Sequence, residues 1–368
     1  MKWFTYADPK IDDKEIMIIV PSMLIGGGIL TFPRFVADET VGSDGWIVIL
    51  IGGMLTLLVA WTVAKLATMF PNQSFLSYAS AIVSKPVAVI LTFLLGTISM
   101  LIASYVVRNI ANTAKEYLFE QTPMEVIALT FLLVVIYAIS SSRIGLFRLN
   151  MLFFPFIFLI TIIIMLLNIK WFDFGDLLPM FQTSFTGYIK GTGSMITSYV
   201  GLGILLFYLA LADRPKRAPK MVSIGVCIVM FFYFLVFITC IGVFGHAGTA
   251  NLLNPTVELA KQVEIPGGIF ERAEVVFYVI WIMAIFNTTT MAFDIAVLAL
   301  HSIFKKANKM TFIFILSPLI YLISMIPENL VELNHFGTFV SYVSAGTTVF
   351  VTILLLIIAK IRGMKQVE

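Results

Sequence analysis

An all-α integral membrane protein of ten transmembrane helices is the fold class the sequence predicts, on three observations. Of 368 residues, 60% are apolar and only 12% are charged, against about 45–50% and about 25% in soluble domains. Mean hydropathy is +0.99, more than one buried core inside a polar surface can produce. Apolar stretches recur on a ruler of about 20 residues, the length that crosses a bilayer core of about 30 Å. They fall at 14–36, 45–69, 86–118, 123–141, 144–169, 188–212, 219–245, 270–304, 310–327 and 336–361. Only 70–85, 170–187 and 246–269 are sizeable connections, so no extramembrane domain is expected. This composition excludes a cytoplasmic enzyme, a disulfide scaffold and a nucleic-acid binder.

Segment 1 carries Gly26-Gly27-Gly28 between Pro21 and Pro33. Each glycine costs about 1 kcal/mol relative to alanine in a helix interior, and each proline removes a ladder donor. A broken helix is expected, and broken backbone at membrane depth belongs beside protein or a wet cavity. Amides near Gly28–Leu30 would then face a carboxylate, and carbonyls freed at the end of the inner half would suit an ammonium or a cation. A small zwitterion matches both.

Segment 2 opens with Trp46 and contains Trp61, placed as an aromatic belt requires, with Trp3, Trp171 and Trp281 elsewhere. In segment 3, Arg108 stands towards the outer end, where a long basic side chain is expected to snorkel. Segments 4 and 5 are apolar and joined by a short loop holding Arg143. Segment 6 concentrates Gly191, Gly193, Ser194, Thr197, Ser198, Tyr199, Gly201 and Gly203 in its first two thirds, which places a second break at Ser198–Gly203. Cys227 and Cys240 in segment 7 are thirteen residues apart on one helix, too far for a disulfide. Segment 8 carries Asn287-Thr288-Thr289-Thr290 and then Asp294. An intramembrane carboxylate is a functional candidate by default; Asp294 could bind a proton or cation, pair with a base such as Lys65, or form a salt bridge at the rim. Glu271, Arg272 and Glu274 open the same segment. His246, His301 and His335 show no metal-ligand spacing. No cleavable leader is visible in the acidic first fifteen residues, and no nucleophile constellation stands out.

Lysines and arginines set the orientation. With an even number of spans both termini share one face, and 17 of the 24 Lys and Arg residues fall there, notably Arg214–Lys220 and Lys305–Lys309. Both termini are therefore expected in the cytoplasm. Gly26–Phe32 and Gly201–Phe207 both read G-x-G-I-L-x-F and open runs of opposite direction. This is the mark of an inverted five-plus-five repeat, with halves at 1–169 and 188–368 around an external connection at 170–187.

GGGILTFPR at 26–34, Asp44-Gly45-Trp46, Thr122-Pro123, Tyr199–Phe207, and Glu271-Arg272 followed by Trp281 resemble the B subunit of spore germinant receptors. That family lies in the amino acid–polyamine–organocation transporter superfamily. The resemblance implies a leucine-transporter-like inverted repeat with broken helices 1 and 6. It implies a nutrient sensor, with an amino acid as the expected small ligand, in the inner membrane of the spore, with A and C receptor subunits as partners and no cofactor. By position, the pocket would use Gly26, Gly27, Gly28 and Ile29 of the first break, Ser198, Tyr199, Val200, Gly201 and Gly203 of the second, Ile98 and Ile102 of segment 3, and Asn287 and Thr288 of segment 8. Relatives commonly read G-x-E where this chain has Gly203, which removes a charged partner for a ligand amine. An amino acid permease of the same fold is the competing expectation.

Overall fold

The computed structural model describes residues 10–263 and 273–364; Trp3, Glu271 and Arg272 lie outside them. Among the described residues the regular structure is helical, apart from one isolated β-bridge. α1 (Asp13–Gly28) starts from a capping box in which Asp12 and Glu15 exchange side-chain and backbone bonds. α2 (Phe32–Glu39) begins with Pro33 in its first turn, a position that needs no amide donor. The two meet at a bend of 70°. α3 (Gly45–Thr68), α4 (Phe75–Ile82), α5 (Lys85–Tyr117), α6 (Met124–Ser140), α7 (Arg143–Leu167) and α8 (Phe185–Ser198) follow. α9 (Leu205–Tyr208) lies in a mixed helical stretch, Leu202–Leu211, bent 49° from α8. Gly201 at this second bend has φ +108°, a conformation that favours glycine. α10 (Ala218–Asn251), α11 (Pro255–Lys261), α12 (Ala273–Ile303), α13 (Lys309–Ser324) and α14 (Leu330–Ile361) complete the chain.

Six single helices, two bent pairs and the shorter apolar helices α6 and α13 match the ten expected segments one for one. The breaks lie at 29–31 and 199–201, inside or beside the stretches that glycine content indicated. α4 and α11 were not expected; they fold within connections. α10 runs on to Asn251 because its turn at Gly245, φ +68°, lets a further helical stretch follow. From there His246 Nε2 reaches the carbonyls of Ala37 and Thr40 at 2.9 and 2.7 Å, closing the end of α2.

α1 packs against α10 and α12, α12 against α5, and α10 against α3. These helices form the interior. Large apolar side chains on the outside of α6, α7, α13 and α14, such as Tyr137, Leu159, Phe314 and Phe350, are exposed, as lipid-facing side chains must be. On the face that carries both described chain ends, Ile11 pairs in parallel with Ala212: Ile11 N donates to Leu211 O and Asp213 N to Ile11 O, each at 2.9 Å. Asp13 Oδ2 lies 3.6 and 3.4 Å from the guanidinium groups of Arg214 and Arg217. The inner half of helix 1 is thereby latched to the end of helix 6.

Of the alternatives open for Asp294 the pairing with a base is the one realised, and two other expectations are corrected. Asp294 does not pair with Lys65, whose ammonium sits 4.9 Å from the centre of the Trp61 ring. Its partner is Arg143 of α7, because the turn after α6 carries that residue inward instead of leaving it at the rim. Arg108 does not snorkel; it is 7% exposed. Trp281 belongs to no aromatic belt; it is buried against Tyr278 at 5.3 Å between ring centres.

Candidate functional site

Hydroxyls from neighbouring helices bond backbone carbonyls at the two bends and in the last turns of α1 before the first bend. Tyr233 of α10 stands between the bends. Its Oη is 3.0 Å from both Leu24 O and Ser198 O, so one proton serves the ends of α1 and α8. Phe32 stacks on its ring at 4.5 Å and Tyr199 lies against it at 5.2 Å. Thr288 Oγ1 of α12 lies 3.0 Å from Ser22 O and 3.1 Å from Met23 O. Thr256 of α11 donates to Ile29 O at 2.7 Å. At the bends themselves Ile29 O and Ser198 O are engaged by protein donors, which satisfies broken backbone at membrane depth.

A cavity opens beside the bends, with about 80 Å³ available to the centre of a water molecule. Gly27, Gly28 and Thr31 form one wall, Thr197, Ser198 and Val200 a second, and Thr288 closes the side towards α12. Ile102, Tyr105 and Asn109 of α5 face Asn334, Thr338 and Ser341 of α14 across it. No lining residue carries a charge. Recognition here must rely on neutral hydrogen-bonding groups and on the partial charges at helix ends.

The glycines differ in what surrounds them. A methyl at Gly27 would meet nothing within 4 Å. A methyl at Gly28 would come within 3.0 Å of Tyr233 Oη and 3.1 Å of Ser198 O. At Gly26 it would overlap Thr288 Oγ1 and lie 2.6 Å from Ala284 O. Gly27 therefore faces space, whereas Gly26 is a packing contact between α1 and α12.

The structure brings Gly27, Gly28, Ile102, Ser198, Val200 and Thr288 together around the cavity. It does not bring the other expected residues there. Ile98, Gly201 and Gly203 line a smaller void of about 10 Å³ that shares Ile102 with the first. Tyr199 and Gly201 face an apolar groove bounded by α3 and α14. Ile29 is buried behind the bend. Asn287 is fully buried and both of its amide atoms lack a hydrogen-bond partner among the described residues. Asp294 lies elsewhere, with Arg143 and Tyr208.

Sequence reasoning missed Tyr105, Asn109 and the whole α14 wall. A signal existed: Asn334, Thr338 and Ser341 fall at i, i+4 and i+7, a polar stripe at helical spacing on an otherwise apolar span. Tyr233 carried no such signal, since a single tyrosine in an apolar run reads as packing.

The family described as "Spore germination protein" matches residues 10–333. Spore germination protein GerLB of Bacillus cereus is 39% identical over 364 residues, covering 98% of this chain and 97% of that one. Spore germination protein YndE of Bacillus subtilis (strain 168) is 31% identical over 353 residues, covering 96% and 97%. Spore germination protein A2 of the same strain is 25% identical over 354 residues, covering 95% and 96%. Among solved structures, the fold resembles MHP1, a nucleobase-cation-symport-1 family transporter in a closed conformation with bromovinylhydantoin bound. The TM-score is 0.66 at 14% identity, over 90% of this chain and 76% of that one. At that identity the likeness concerns the fold alone.

Proposed function

The chain belongs to the spore germination protein family, and on that premise we propose that it is the nutrient-sensing membrane subunit of a germination receptor. The observation that carries this reading is the uncharged cavity between the two bends, which joins both broken helices through Gly27, Gly28, Ser198 and Val200. The ligand is a small polar molecule, an amino acid by preference. Its carboxylate lies towards the start of α2, where no side chain caps the helix, and its ammonium towards neutral acceptors such as Asn109 and Asn334. Ligand capture favours one arrangement of the half-helices and so shifts a population between two states. The halves 1–169 and 188–368 move against one another as inverted repeats. No output domain is present among the described residues, so the change of shape is passed to A and C receptor subunits.

The membrane is the spore inner membrane, with both termini in the cytoplasm. The lysine and arginine bias supports that orientation. Contacts gather both described chain ends on one face, as an even number of spans requires: Ile11 with Leu211, and Arg362 with the carbonyls of Ala81 and Val83.

The second reading is an amino acid permease, and the transporter fold favours it. Two measurements separate the readings: germination of spores carrying Gly27→Ala, and counterflow of labelled amino acid in liposomes. Loss of nutrient response without counterflow by the wild-type protein supports a receptor. Saturable counterflow supports transport. Germination unaffected by Gly27→Ala removes the cavity from either reading.

A further inference from the structure

The face opposite both chain ends carries a cleft that the proposed function does not use. Its lining is Arg108 and Lys115 of α5, residues 120–125 of the following turn and α6, and Glu328 between α13 and α14. About 480 Å³ is open to the centre of a water molecule. Arg108 is only 7% exposed. Among the described residues its one hydrogen-bond acceptor is a thioether, Met325 Sδ, 3.6 Å from Nη1; the Glu125 carboxylate attracts it through space but forms no ion-pair contact with it.

A buried guanidinium is costly unless an anion and good hydrogen bonds compensate it; Glu125 supplies charge only at a distance, and a thioether is a weak acceptor. Its planar fork fits carboxylate or phosphate oxygens. The amino end of α6 opens on the same cleft, and Pro123 at its cap position offers no side-chain acceptor to the first amides. Both features favour an anion. Glu120, Glu125 and Glu328 surround them, and three carboxylates against Arg108 and Lys115 leave the lining net negative. A simple anion is repelled by that rim, whereas a guest carrying an ammonium beside its acid group is attracted by it.

We propose that this cleft is a second ligand site, distinct from the cavity at the bends, and that it takes a small zwitterion. The acid group lies on Arg108 and the start of α6, and the ammonium lies among Glu120, Glu125 and Glu328. That chemistry has two sources: a free amino acid arriving from outside, or the ethanolamine phosphate headgroup of a membrane lipid.

The test uses the full-length protein in a delipidated maltoside micelle with two probes, a radiolabelled mixture of the protein amino acids and a short-chain phosphatidylethanolamine. One of the two is expected to bind with a component that weakens at least about tenfold in Arg108→Gln, recovers in part in Arg108→Lys, and persists in Gly27→Ala. The probe that responds identifies the source. Should Arg108→Gln fail to fold, the double variant Glu120→Gln with Glu328→Gln, both at exposed positions, reads the same site; there the zwitterion is expected to weaken while acetate gains. Binding of both probes that is indifferent to the substitutions, in variants that fold, overturns the proposal.

Discussion

Asp294 accepts a hydrogen bond from Arg143 Nε at 2.7 Å, and the two side chains are 0% and 3% exposed. Tyr208 Oη donates to the same carboxylate oxygen at 3.0 Å. The ion pair thus joins α7, α12 and α9, and the buried ammonium of Lys309 in α13 adds to the positive charge facing Asp294. Removing one member of a buried pair strands the other, at a cost of about 3–5 kcal/mol, whereas replacing both with apolar residues is often neutral. Asp294→Asn is therefore expected to lower the melting temperature in micelles sharply, and Arg143→Met with Asp294→Leu to recover part of the loss, since Lys309 keeps its charge nearby. A double variant as unstable as the single one would contradict this account.

The glycines separate ligand space from packing. Gly27→Ala adds a methyl where no atom lies within 4 Å, so insertion and melting should stay unchanged while nutrient binding weakens. Gly26→Ala should lose stability first, because its methyl collides with Thr288 and Ala284. Melting curves beside germination curves distinguish the two; equal instability in both variants would sink the distinction.

Val200 lines the cavity from the second bend. One methylene in a fitted pocket is worth about 1–3 kcal/mol of discrimination. Val200→Leu should reorder a panel of nutrients by tenfold or more in relative potency, favouring smaller ones. A panel shifted uniformly, with its order kept, would take Val200 out of the contact surface.

Sodium-coupled members of this fold use hydroxyls and carbonyls where helices 1 and 8 meet. Here Thr288 Oγ1 is bonded to Ser22 O and Met23 O, and Thr289 Oγ1 to Ile285 O at 2.8 Å. Both hydroxyls are therefore already spent on backbone carbonyls rather than gathered around a common point. Replacing sodium with choline should leave the nutrient response unchanged, as a dose–response series in each salt would show.

Asp44 ties the two outer connections together. Its carboxylate accepts from the Phe181 and Thr183 amides and from Tyr188 Oη. Burial pushes this carboxyl up, but those donors outweigh it and hold it below the usual carboxylate range. Because the folded value is depressed, the stabilisation is complete above the unfolded value of about 3.9 and is lost as pH falls through the folded one. The protection of the amides at 181 and 183, taken relative to their intrinsic exchange at each pH, should be constant near neutrality and fall below about pH 4. In Asp44→Asn that acid limb should vanish.

The bends were legible because consecutive glycines are a poor way to build a helix: Gly26–Gly28 and Gly201 announce irregular backbone before any contact is known. The partner of Asp294 was not legible. A carboxylate's partner depends on how neighbouring helices are rotated, and Arg143, beside a turn, reads like a residue of the cytoplasmic rim. Ile98 and Gly203 fell one layer from the cavity for a related reason. Residues four apart share a helix face but differ in depth by about 6 Å, and sequence spacing does not set the depth of a void. α4 and α11 escaped notice because short helices inside connections have no membrane-length signature.

The empty space beside Gly27 has a consequence over generations as well as over a binding cycle. A glycine codon becomes an alanine codon by a single base change, and at this position the added methyl meets no part of the scaffold. The wall of the cavity can thus change at this point without first acquiring compensating changes in packing. Drift at position 27, set against the rigidity imposed at 26, would be the record of changing diets.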